Sequence, residues 1–348
     1  MDDAAGSDQD LRLVGRGAEL DDLDDALASV SAGAGSIVLL EGEAGIGKSA
    51  LVDAVRTSAR LLGLEVRSAV ARPAGARRFG LLAEAMLAGD RGSNRRGHDE
   101  PWLLVLEDLH EADDESLAVL YRLAHEGTVP HALVLATLRP VPRPADLAAV
   151  VAAWTRAGAR YLELRPLSSD AALELAEAQL GASVGTSLRG SVLTAGGNPQ
   201  FVTDVVRAVR EAGALQLTGH GVVDAVGSQW MDRLDAVVRR RIAYLGPDVV
   251  QLLSEASVLG SSFVMADLTE IARRPVADCW RVLRHALAAG VVHARGGRLV
   301  FRHELVRSAL YGGLDPALRR ALHEDAARTL DAAGDPDVFV MCHRALAE

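Results

Sequence analysis

Residues 36–51 of the chain read Ser36-Ile-Val-Leu-Leu-Glu-Gly-Glu-Ala-Gly-Ile-Gly-Lys48-Ser49-Ala-Leu51 and contain the pattern G-x-x-x-x-G-K-S. The β-branched and leucine run at 37–40 predicts a strand, and the apolar spacing after Ser49 predicts a helix. A glycine-rich loop between a strand and a helix, with lysine and serine at its end, is typical of a phosphate-binding loop. We therefore predict a strand, a phosphate-binding loop and a helix, in that order.

The residue types in this loop suit the tail of a nucleoside triphosphate. Gly42, Gly45 and Gly47 let the backbone turn with its N–H groups pointing inward. These N–H groups and the helix N-terminus present donors and a partial positive charge to the β-phosphate. Lys48 adds a cation for the β- and γ-phosphates, and the Ser49 hydroxyl is placed to ligate Mg²⁺. The loop therefore predicts a nucleotide and Mg²⁺ as cofactors.

The composition supports the same prediction independently. The chain has 37 lysine and arginine residues, of which Lys48 is the single lysine. A sequence this biased toward arginine retains an ammonium group where a compact, flexible cation is needed and a planar guanidinium fits badly. The identity of residue 48 therefore points to a specific role in the loop.

Length, composition and charge bound the class of protein. A chain of 348 residues predicts two or three domains. Apolar residues at 49% and charged residues at 24% are those of a soluble globular protein, and the net charge of −10 argues against non-specific coating of nucleic acid. Cys279 and Cys342 are too few for a disulfide framework or a zinc site, and we expect both in the core. With no secretory signal and no membrane span in the sequence, we expect a cytoplasmic protein.

The predicted strands indicate the fold of the first half. Apolar runs at 37–40, 64–71, 102–106, 131–137 and 161–164 alternate with helical patterns. This alternation predicts an α/β fold with a doubly wound parallel sheet. We assign residues 1–10 to a disordered tail and residues 11–166 to a P-loop nucleotide-binding domain.

Two acids, Glu107 and Asp108, follow the apolar strand predicted at 102–106. In an open α/β sheet the carboxyl ends of the strands hold the ligand, so both acids should face Mg²⁺ beside Ser49. A neighbouring carboxylate can also orient the attacking water. The alternative, a helix cap with a solvated neighbour, is weaker because the phosphate loop lies upstream at βαβ spacing.

Arg139 comes just after the fourth predicted strand. From that edge of the sheet its guanidinium can reach a γ-phosphate. Since this chain has arginine in many loops, an ordinary loop arginine is an equal alternative. We name Asp108, Glu107 and Arg139 as candidate catalytic residues, and Ser49, Glu107 and Asp108 as candidate metal ligands.

From residue 168 helical patterns replace the strands. We predict a helical lid at 167–228, with a short hairpin at 212–229. Two short strands around Gly296-Gly297, preceded by helices, predict a winged-helix-like domain at 229–315. Residues 316–348 are predicted to be C-terminal helices.

Several segments together resemble the ATPase region of large ATP-binding LuxR-type transcription regulators, which belong to the STAND class of AAA-type P-loop ATPases. The resemblance covers nearly the whole chain. The segments that carry it are Val14-Gly15-Arg16, the loop at 42–49, the run at 103–113, Ala136-Thr-Leu-Arg139-Pro140, Gly197-Asn198-Pro199 and the stretch at 301–311. The phosphate loop and the acid pair are shared with the wider superfamily, whereas the Asn-Pro and Phe-x-His elements point to STAND proteins.

The resemblance implies further nucleotide contacts, with ATP or ADP as the nucleotide. It places the turn containing Val14 and Arg16 at the adenine pocket, for which a plain capping turn is an equal alternative. It places Pro199 against adenine in the lid and His303 near the β-phosphate, holding the closed ADP form. A capped or core histidine is an equal alternative for His303. In this family an aspartate usually stands where the chain has Glu107, whose side chain is longer by one methylene group.

The function implied is an ATP-dependent regulatory switch with slow ATP hydrolysis. Its implied partners are an adenine nucleotide, an inducer that is a small molecule or a protein, and further copies of the chain in nucleotide-dependent self-association. The family carries superhelical repeats and a DNA-reading helix-turn-helix after the ATPase region. We find no DNA-reading motif in the sequence up to Glu348 and expect no membrane partner.

Two other classes of function stay open from the residues alone. One is a P-loop kinase that passes phosphate to a small molecule. The other is a winged-helix DNA-binding protein in which ATP is secondary. The second rests on the basic residues Arg273, Arg274, Arg281, Arg284, Arg295 and Arg298, for which a solvated arginine face is the simpler interpretation.

Overall fold

A computed structural model describes residues 13–72, 78–87, 100–126, 130–140, 143–219, 221–333 and 337–347. The chain divides into two compact units, Met1–Pro166 and Leu167–Glu348, which we call unit 1 and unit 2. The tail predicted at 1–10 lies outside the described residues.

Unit 1 alternates strands and helices as the apolar runs predict. Its elements are α1 (Gly17–Ser31), β1 (Ser36–Glu41), α2 (Lys48–Leu61), β2 (Glu65–Val70), α3 (Gly80–Leu87), β3 (Trp102–Glu107), a 3-10 turn (Leu109–Glu111), α4 (Asp114–Glu126), β4 (Ala132–Leu138), α5 (Ala145–Arg156) and β5 (Arg160–Glu163).

The five strands form one parallel sheet in the order β2-β3-β4-β1-β5. The order places β4 between β1 and β3, so their carboxyl ends lie side by side at one edge. The phosphate loop leaves β1, the acid pair follows β3 and Arg139 follows β4, and the sheet therefore brings all three to that edge. The prediction of a doubly wound parallel sheet is confirmed.

Helices cover both faces of this sheet. Ile37 and Leu39 of β1 belong to one hydrophobic cluster, which includes side chains of α4 and α5. Val38 and Leu40 belong to another, which includes side chains of α1 and α2. A strand buried on both faces has no solvent side, which explains why the apolar run of β1 does not alternate.

Unit 2 is mainly helical. Its elements are α6 (Ser169–Leu180), β6 (Ser183–Val184), α7 (Thr186–Thr194), α8 (Pro199–Glu211), β7 (Leu215–Thr218), β8 (Val222–Ala225), α9 (Gln229–Ile242), a 3-10 turn (Ala243–Leu245), α10 (Pro247–Val258), β9 (Ser262–Phe263), α11 (Met265–Ala272), α12 (Val276–Ala288), β10 (Val292–Arg295), β11 (Arg298–Phe301), α13 (Glu304–Gly312), α14 (Pro316–Ala333) and α15 (Asp337–Ala347).

Two small sheets of three strands each lie in unit 2. Both predicted hairpins are present, as β7 with β8 and as β10 with β11. Each hairpin gains a third strand, because β6 pairs in parallel with β8, and β9 pairs with β11. The sequence did not predict β6 and β9, since a strand of two residues is too short to show a period-2 pattern.

The two cysteines lie in different environments. Cys279 is buried in α12, as predicted, whereas Cys342 of α15 is exposed. The core placement that we expected for Cys342 is therefore wrong. A helix face can be recognised from sequence only when its neighbours show a clear apolar period, and Met341, beside Cys342, is itself exposed.

Among the described residues, every helix is either too short or too polar to cross a lipid bilayer.

Substitution of Gly42, the residue that follows β1, tests the packing of the loop on the sheet. An ideal Cβ at Gly42 would lie 2.6 Å from Ile46 Cγ2 and 3.1 Å from Leu164 Cβ. We expect Gly42→Ala to destabilise the protein by about 1–3 kcal/mol, because close-packed neighbours must move. Gly17→Ala is the matched control, since its Cβ would meet no atom within 4 Å. Chemical unfolding of both variants measures the difference, and equal stability of Gly42→Ala and wild type would contradict this packing.

Candidate functional site

The loop at 42–49 connects β1 to the N-terminus of α2. Gly45 and Gly47 have φ angles of 76° and 108°, which residues with a side chain rarely adopt. Gly47 caps α2, so the first N–H groups of this helix are directed into the loop. Ile46 is fully buried and anchors the loop in the hydrophobic cluster that includes side chains of α1 and α2. The loop thus has the backbone form that the glycine pattern predicts.

The Lys48 ammonium lies inside this loop. Its Nζ donates hydrogen bonds to the carbonyl oxygens of Gly42 and Glu43, at 2.7 and 2.8 Å. Burial, with a further contribution from the nearby Arg139 charge, lowers the pKa of Lys48 to about 8, against opposing effects of Asp108 and Glu43. An ammonium desolvated in this way gains strongly from an anion placed beside it.

Arg16 attaches the preceding turn to the loop. Its side chain is buried, and one guanidinium nitrogen donates a 2.8 Å hydrogen bond to the Ile46 carbonyl. The other terminal nitrogen lies 3.1 Å from Glu19 Oε1. Val14, two residues earlier, is half-buried. Arg16 therefore supports the shape of the loop, while the predicted contact of Val14 and Arg16 with adenine stays a prediction.

Ser49 and Glu107 lie next to each other, as predicted from their motifs. The Ser49 hydroxyl donates to Glu107 Oε2 at 3.3 Å. The other carboxylate oxygen, Oε1, accepts a 2.6 Å hydrogen bond from Arg56 of α2. We did not predict this contact of Arg56, because its partner Glu107 lies 51 residues away in the chain.

Asp108 follows Glu107 in a left-handed conformation, with φ 56° and ψ 44°. Aspartate tolerates this conformation better than most residues. Its backbone N–H donates to the Thr137 hydroxyl at 2.9 Å, which fixes the turn against β4. The side chain keeps 40% of its surface exposed. Asp108 can therefore meet water, while its charge acts on both Lys48 and His110.

Arg139 lies close enough to Lys48 and His110 for its charge to lower the pKa of both. Its Nε atom is buried and makes no hydrogen bond within the described part of the chain. An arginine whose buried donor lacks a partner beside a phosphate loop is suited to an anionic ligand.

Like Arg56, His110 was not predicted from the sequence to be part of this site. Its side chain is fully buried, with Nδ1 3.9 Å from Asp108 Oδ1 and Nε2 3.8 Å from Glu111 Oε1. Neither ring nitrogen makes a hydrogen bond within the described residues. Burial and the cations Arg139 and Lys48 lower the pKa of His110 to about 4. The imidazole is therefore neutral near pH 7, and only its place in the run at 103–113 could have drawn attention to it.

The oxygen donors at this edge fit Mg²⁺. Within the residues that the structure describes, no three His, Cys, Asp or Glu side chains cluster as a complete metal site. Mg²⁺ is typically held by one or two carboxylates, with phosphate oxygens and water completing its shell. The hydroxyl of Ser49 beside the Glu107 carboxylate, followed by Asp108, provides that kind of incomplete site.

The predicted site residues of unit 2 meet at the start of α8. Pro199 is its first residue, and Asn198 caps the helix by accepting from the N–H groups of Gln200 and Phe201. His303, immediately before α13, is buried and packs edge-on against the Phe201 ring, with centroids 5.2 Å apart. A Cβ at Gly196 would lie 3.0 Å from His303 Nδ1. Pro199 and His303 thus belong to one local cluster, and their nucleotide contacts stay predictions.

Comparisons with known proteins agree with this fold. Residues 12–74 match the protein family described as AAA ATPase domain. The chain resembles the Walker-type ATPase PABY2304 of Pyrococcus abyssi, with a TM-score of 0.55 and 13% identity over 85% of this chain and 95% of that one. It also resembles the Aeropyrum pernix ORC2 protein, solved in ADPNP–ADP complexes, with a TM-score of 0.51 and 16% identity over 92% of this chain and 94% of that one. No curated protein sequence matched the chain.

A third similar structure is the STAND protein PH0952 of Pyrococcus horikoshii, which has a tetratricopeptide repeat sensor. The match covers 93% of this chain and 47% of that one at 15% identity, and its TM-score of 0.37 is too low to carry an argument. The first two likenesses establish the fold and no more, since both identities are below 25%. Residues 12–74 are therefore similar to AAA-type ATPase domains, in a chain with the fold of P-loop NTPases.

The buried His110 predicts a pH dependence of stability. Its pKa is about 4 in the folded chain and 6.5 ordinarily, so the unfolded chain binds more protons between these values. The part of the free energy of unfolding that depends on a neutral His110 is therefore fully present above pH 6.5 and is lost as the pH falls toward 4. We expect wild type to lose on the order of 2–3 kcal/mol more than His110→Gln between pH 7 and 4. Urea unfolding across this range measures the difference.

His285→Gln serves as the control for this measurement, because His285 is exposed on α12. It should follow the wild-type pH profile. Identical profiles for His110→Gln and wild type would show that the folded protein tolerates a charged imidazole at position 110.

Proposed function

We propose that the chain is an ATP-binding STAND-type regulatory switch with slow ATPase activity, the ATPase region of a LuxR-type transcription regulator. The observation that carries the proposal is the convergence at one sheet edge of the buried Lys48 ammonium, Ser49 and the Glu107–Asp108 pair, with Arg139 near Lys48. The match of residues 12–74 to AAA ATPase domains supports the nucleotide part of the proposal.

The loop would bind the phosphate tail. Backbone N–H groups at Gly45 and Gly47 and the N-terminus of α2 offer donors, and Lys48 offers the charge. Because Lys48 Nζ donates to two loop carbonyls, phosphate oxygens would compete for the same donors. The charge of a phosphate favours that exchange, since hydrogen bonds between ions are the stronger ones.

Ser49, Glu107 and Asp108 would hold Mg²⁺, which neutralises charge on the phosphates. Asp108, partly exposed and held by its backbone bond to Thr137, is placed to orient the attacking water. Arg139 would stabilise charge on the transferred phosphoryl group. A slow rate of hydrolysis suits a switch whose output is a nucleotide state.

We propose that unit 2 responds to whether ATP or ADP is bound. We propose that Pro199 packs against adenine and that His303 approaches the β-phosphate and retains ADP. Because His303 contacts Phe201 on α8, a displacement of its ring would be transmitted to the helix that begins at Pro199. We further propose that β9, α11, α12 and the β10–β11 hairpin form a winged helix, in line with their order along the chain.

A DNA-binding role for this winged helix gains little support from its arginines. Arg273 is paired with Asp325, and Arg281 with Asp278. Arg298 donates to Ser262. Side chains engaged in this way form the solvated, paired face that charged surfaces usually carry. The nucleotide switch therefore remains the preferred function. We also propose that the chain responds to an inducer, that it associates with further copies of itself and that it is located in the cytoplasm.

Substitution of Lys48 and Asp108 tests the nucleotide part. We expect Lys48→Ala to weaken ATP binding roughly 100-fold, because a buried charge-assisted contact is lost. Asp108→Asn should keep ATP affinity within a few fold and lower turnover by about 100-fold. Calorimetry with Mg²⁺ measures binding, and phosphate release without any acceptor measures turnover and separates an ATPase from a kinase. Arg60→Ala, on the exposed face of α2, is the control. Absence of nucleotide binding by folded wild type would end the proposal.

Substitution of His303 tests the reading of ADP by unit 2. We expect His303→Ala to speed ADP dissociation by about tenfold, the effect of losing one hydrogen bond to a charged group. Stopped-flow release of a fluorescent ADP analogue measures the rate. His285→Ala removes an exposed histidine of the same unit and should leave the rate unchanged. If folded His303→Ala released ADP at the wild-type rate, His303 would have a packing role and no contact with the nucleotide.

A further inference from the structure

Both oxygens of the Glu107 carboxylate are engaged by α2. Oε2 accepts from the Ser49 hydroxyl at 3.3 Å, and Oε1 accepts from a terminal nitrogen of Arg56 at 2.6 Å. The side chains of Arg56 and Glu107 are 17% and 12% exposed, so this ion pair is largely shielded from water. The two oxygens therefore differ: one faces the proposed metal site and the other faces a cation.

The spacing on α2 explains how the two contacts arise. Ser49, Asp53 and Arg56 are four and three residues apart, so all three lie on one face of the helix. Asp53 Oδ1 lies 2.9 Å from Arg56 Nη1, whereas Glu107 contacts the other terminal nitrogen, Nη2. Because the guanidinium is tied at two points, it restrains the long glutamate side chain, which has one more rotatable bond than aspartate.

We infer that Arg56 determines metal specificity at the proposed nucleotide site, by occupying Oε1 so that Glu107 offers the metal a single oxygen. This inference rests on the proposed nucleotide binding. Mg²⁺ accepts a small octahedral shell and needs only one oxygen from a carboxylate. Ca²⁺ takes six to eight oxygens and often uses both oxygens of one carboxylate. A Glu107 with Oε1 occupied therefore favours Mg²⁺ over Ca²⁺.

A ratio of affinities isolates this effect from simple repulsion. The Arg56 charge repels any divalent cation, and this Coulomb energy depends on charge and distance, which Mg²⁺ and Ca²⁺ nearly share. Loss of Arg56 would therefore change the two affinities together through repulsion. Only the release of the second carboxylate oxygen changes them unequally.

The test is the affinity of the whole chain for ADPNP, measured by calorimetry at saturating Mg²⁺ and again at saturating Ca²⁺. ADPNP avoids turnover, so the readout is binding alone. We expect wild type to bind more tightly with Mg²⁺, and Arg56→Gln to lower the ratio Kd(Ca²⁺)/Kd(Mg²⁺) at least fivefold. Arg60→Gln, which removes an exposed arginine one turn further along α2, should keep the wild-type ratio.

Two further variants keep the inference testable if Arg56→Gln folds poorly. Arg56→Lys retains a cation beside Oε1 and should keep the ratio within about twofold of wild type. Glu107→Gln has one side-chain oxygen whatever residue 56 is, so adding Arg56→Gln to it should change the ratio less than twofold. Circular dichroism and thermal melts establish that each variant is folded.

The outcomes separate the two proposals. A wild-type ratio in Arg56→Gln, or an equal fall in Arg60→Gln, overturns the role of Arg56 and leaves nucleotide binding intact. A fall that persists in the Glu107→Gln background also overturns it, because the effect would not pass through the carboxylate. Failure of wild type to bind ADPNP with either metal overturns the proposed function, and the inference falls with it.

Discussion

The buried ammonium of Lys48 is the constraint on which the rest of the site depends. Removing this charge from water is costly, and two loop carbonyl oxygens together with the charges of Asp108 and Glu43 offset part of the cost. The loop can fold around the ammonium because Gly45 and Gly47 adopt φ angles that residues with a side chain rarely adopt. Arg16 in turn holds the loop through the Ile46 carbonyl. A site built in this way is prepared for an anion before any ligand arrives, which is the property that phosphate binding requires.

Charge around this ammonium is arranged by the order of the strands. Because β4 lies between β1 and β3, the cation of the loop, the acids after β3 and Arg139 after β4 share one edge. Each acid also has its own support, from Arg56 for Glu107 and from Thr137 for the backbone of Asp108. His110 adds no charge, since its pKa is held low by burial and by the same cations. On the proposed function, this edge would offer separate places for phosphate, metal and water.

In unit 2, the residues that the family resemblance singled out form part of a connected set of helices. Asn198 caps α8, and the ring of Phe201 on that helix contacts His303. Further along α8, the buried carboxylate of Asp204 is bound at both oxygens by Arg241 of α9, at 2.6 and 2.8 Å. Bidentate pairs of this kind fix the relative orientation of two elements. A shift at the start of α8 would thus be carried into α9, as a switch built on this cluster requires.

The sequence by itself determined the loop, the strands of the sheet and the acids, because these follow from local patterns: glycine spacing, apolar runs and residues at strand ends. It also predicted both hairpins of unit 2 from their turn residues. Only the tertiary structure decided that Arg56 binds Glu107, that Arg16 supports the loop, that His110 is buried without hydrogen-bond partners within the described residues, and that Cys342 is exposed. These features depend on which distant segments meet and which helix faces are covered, and no local period or motif records such contacts.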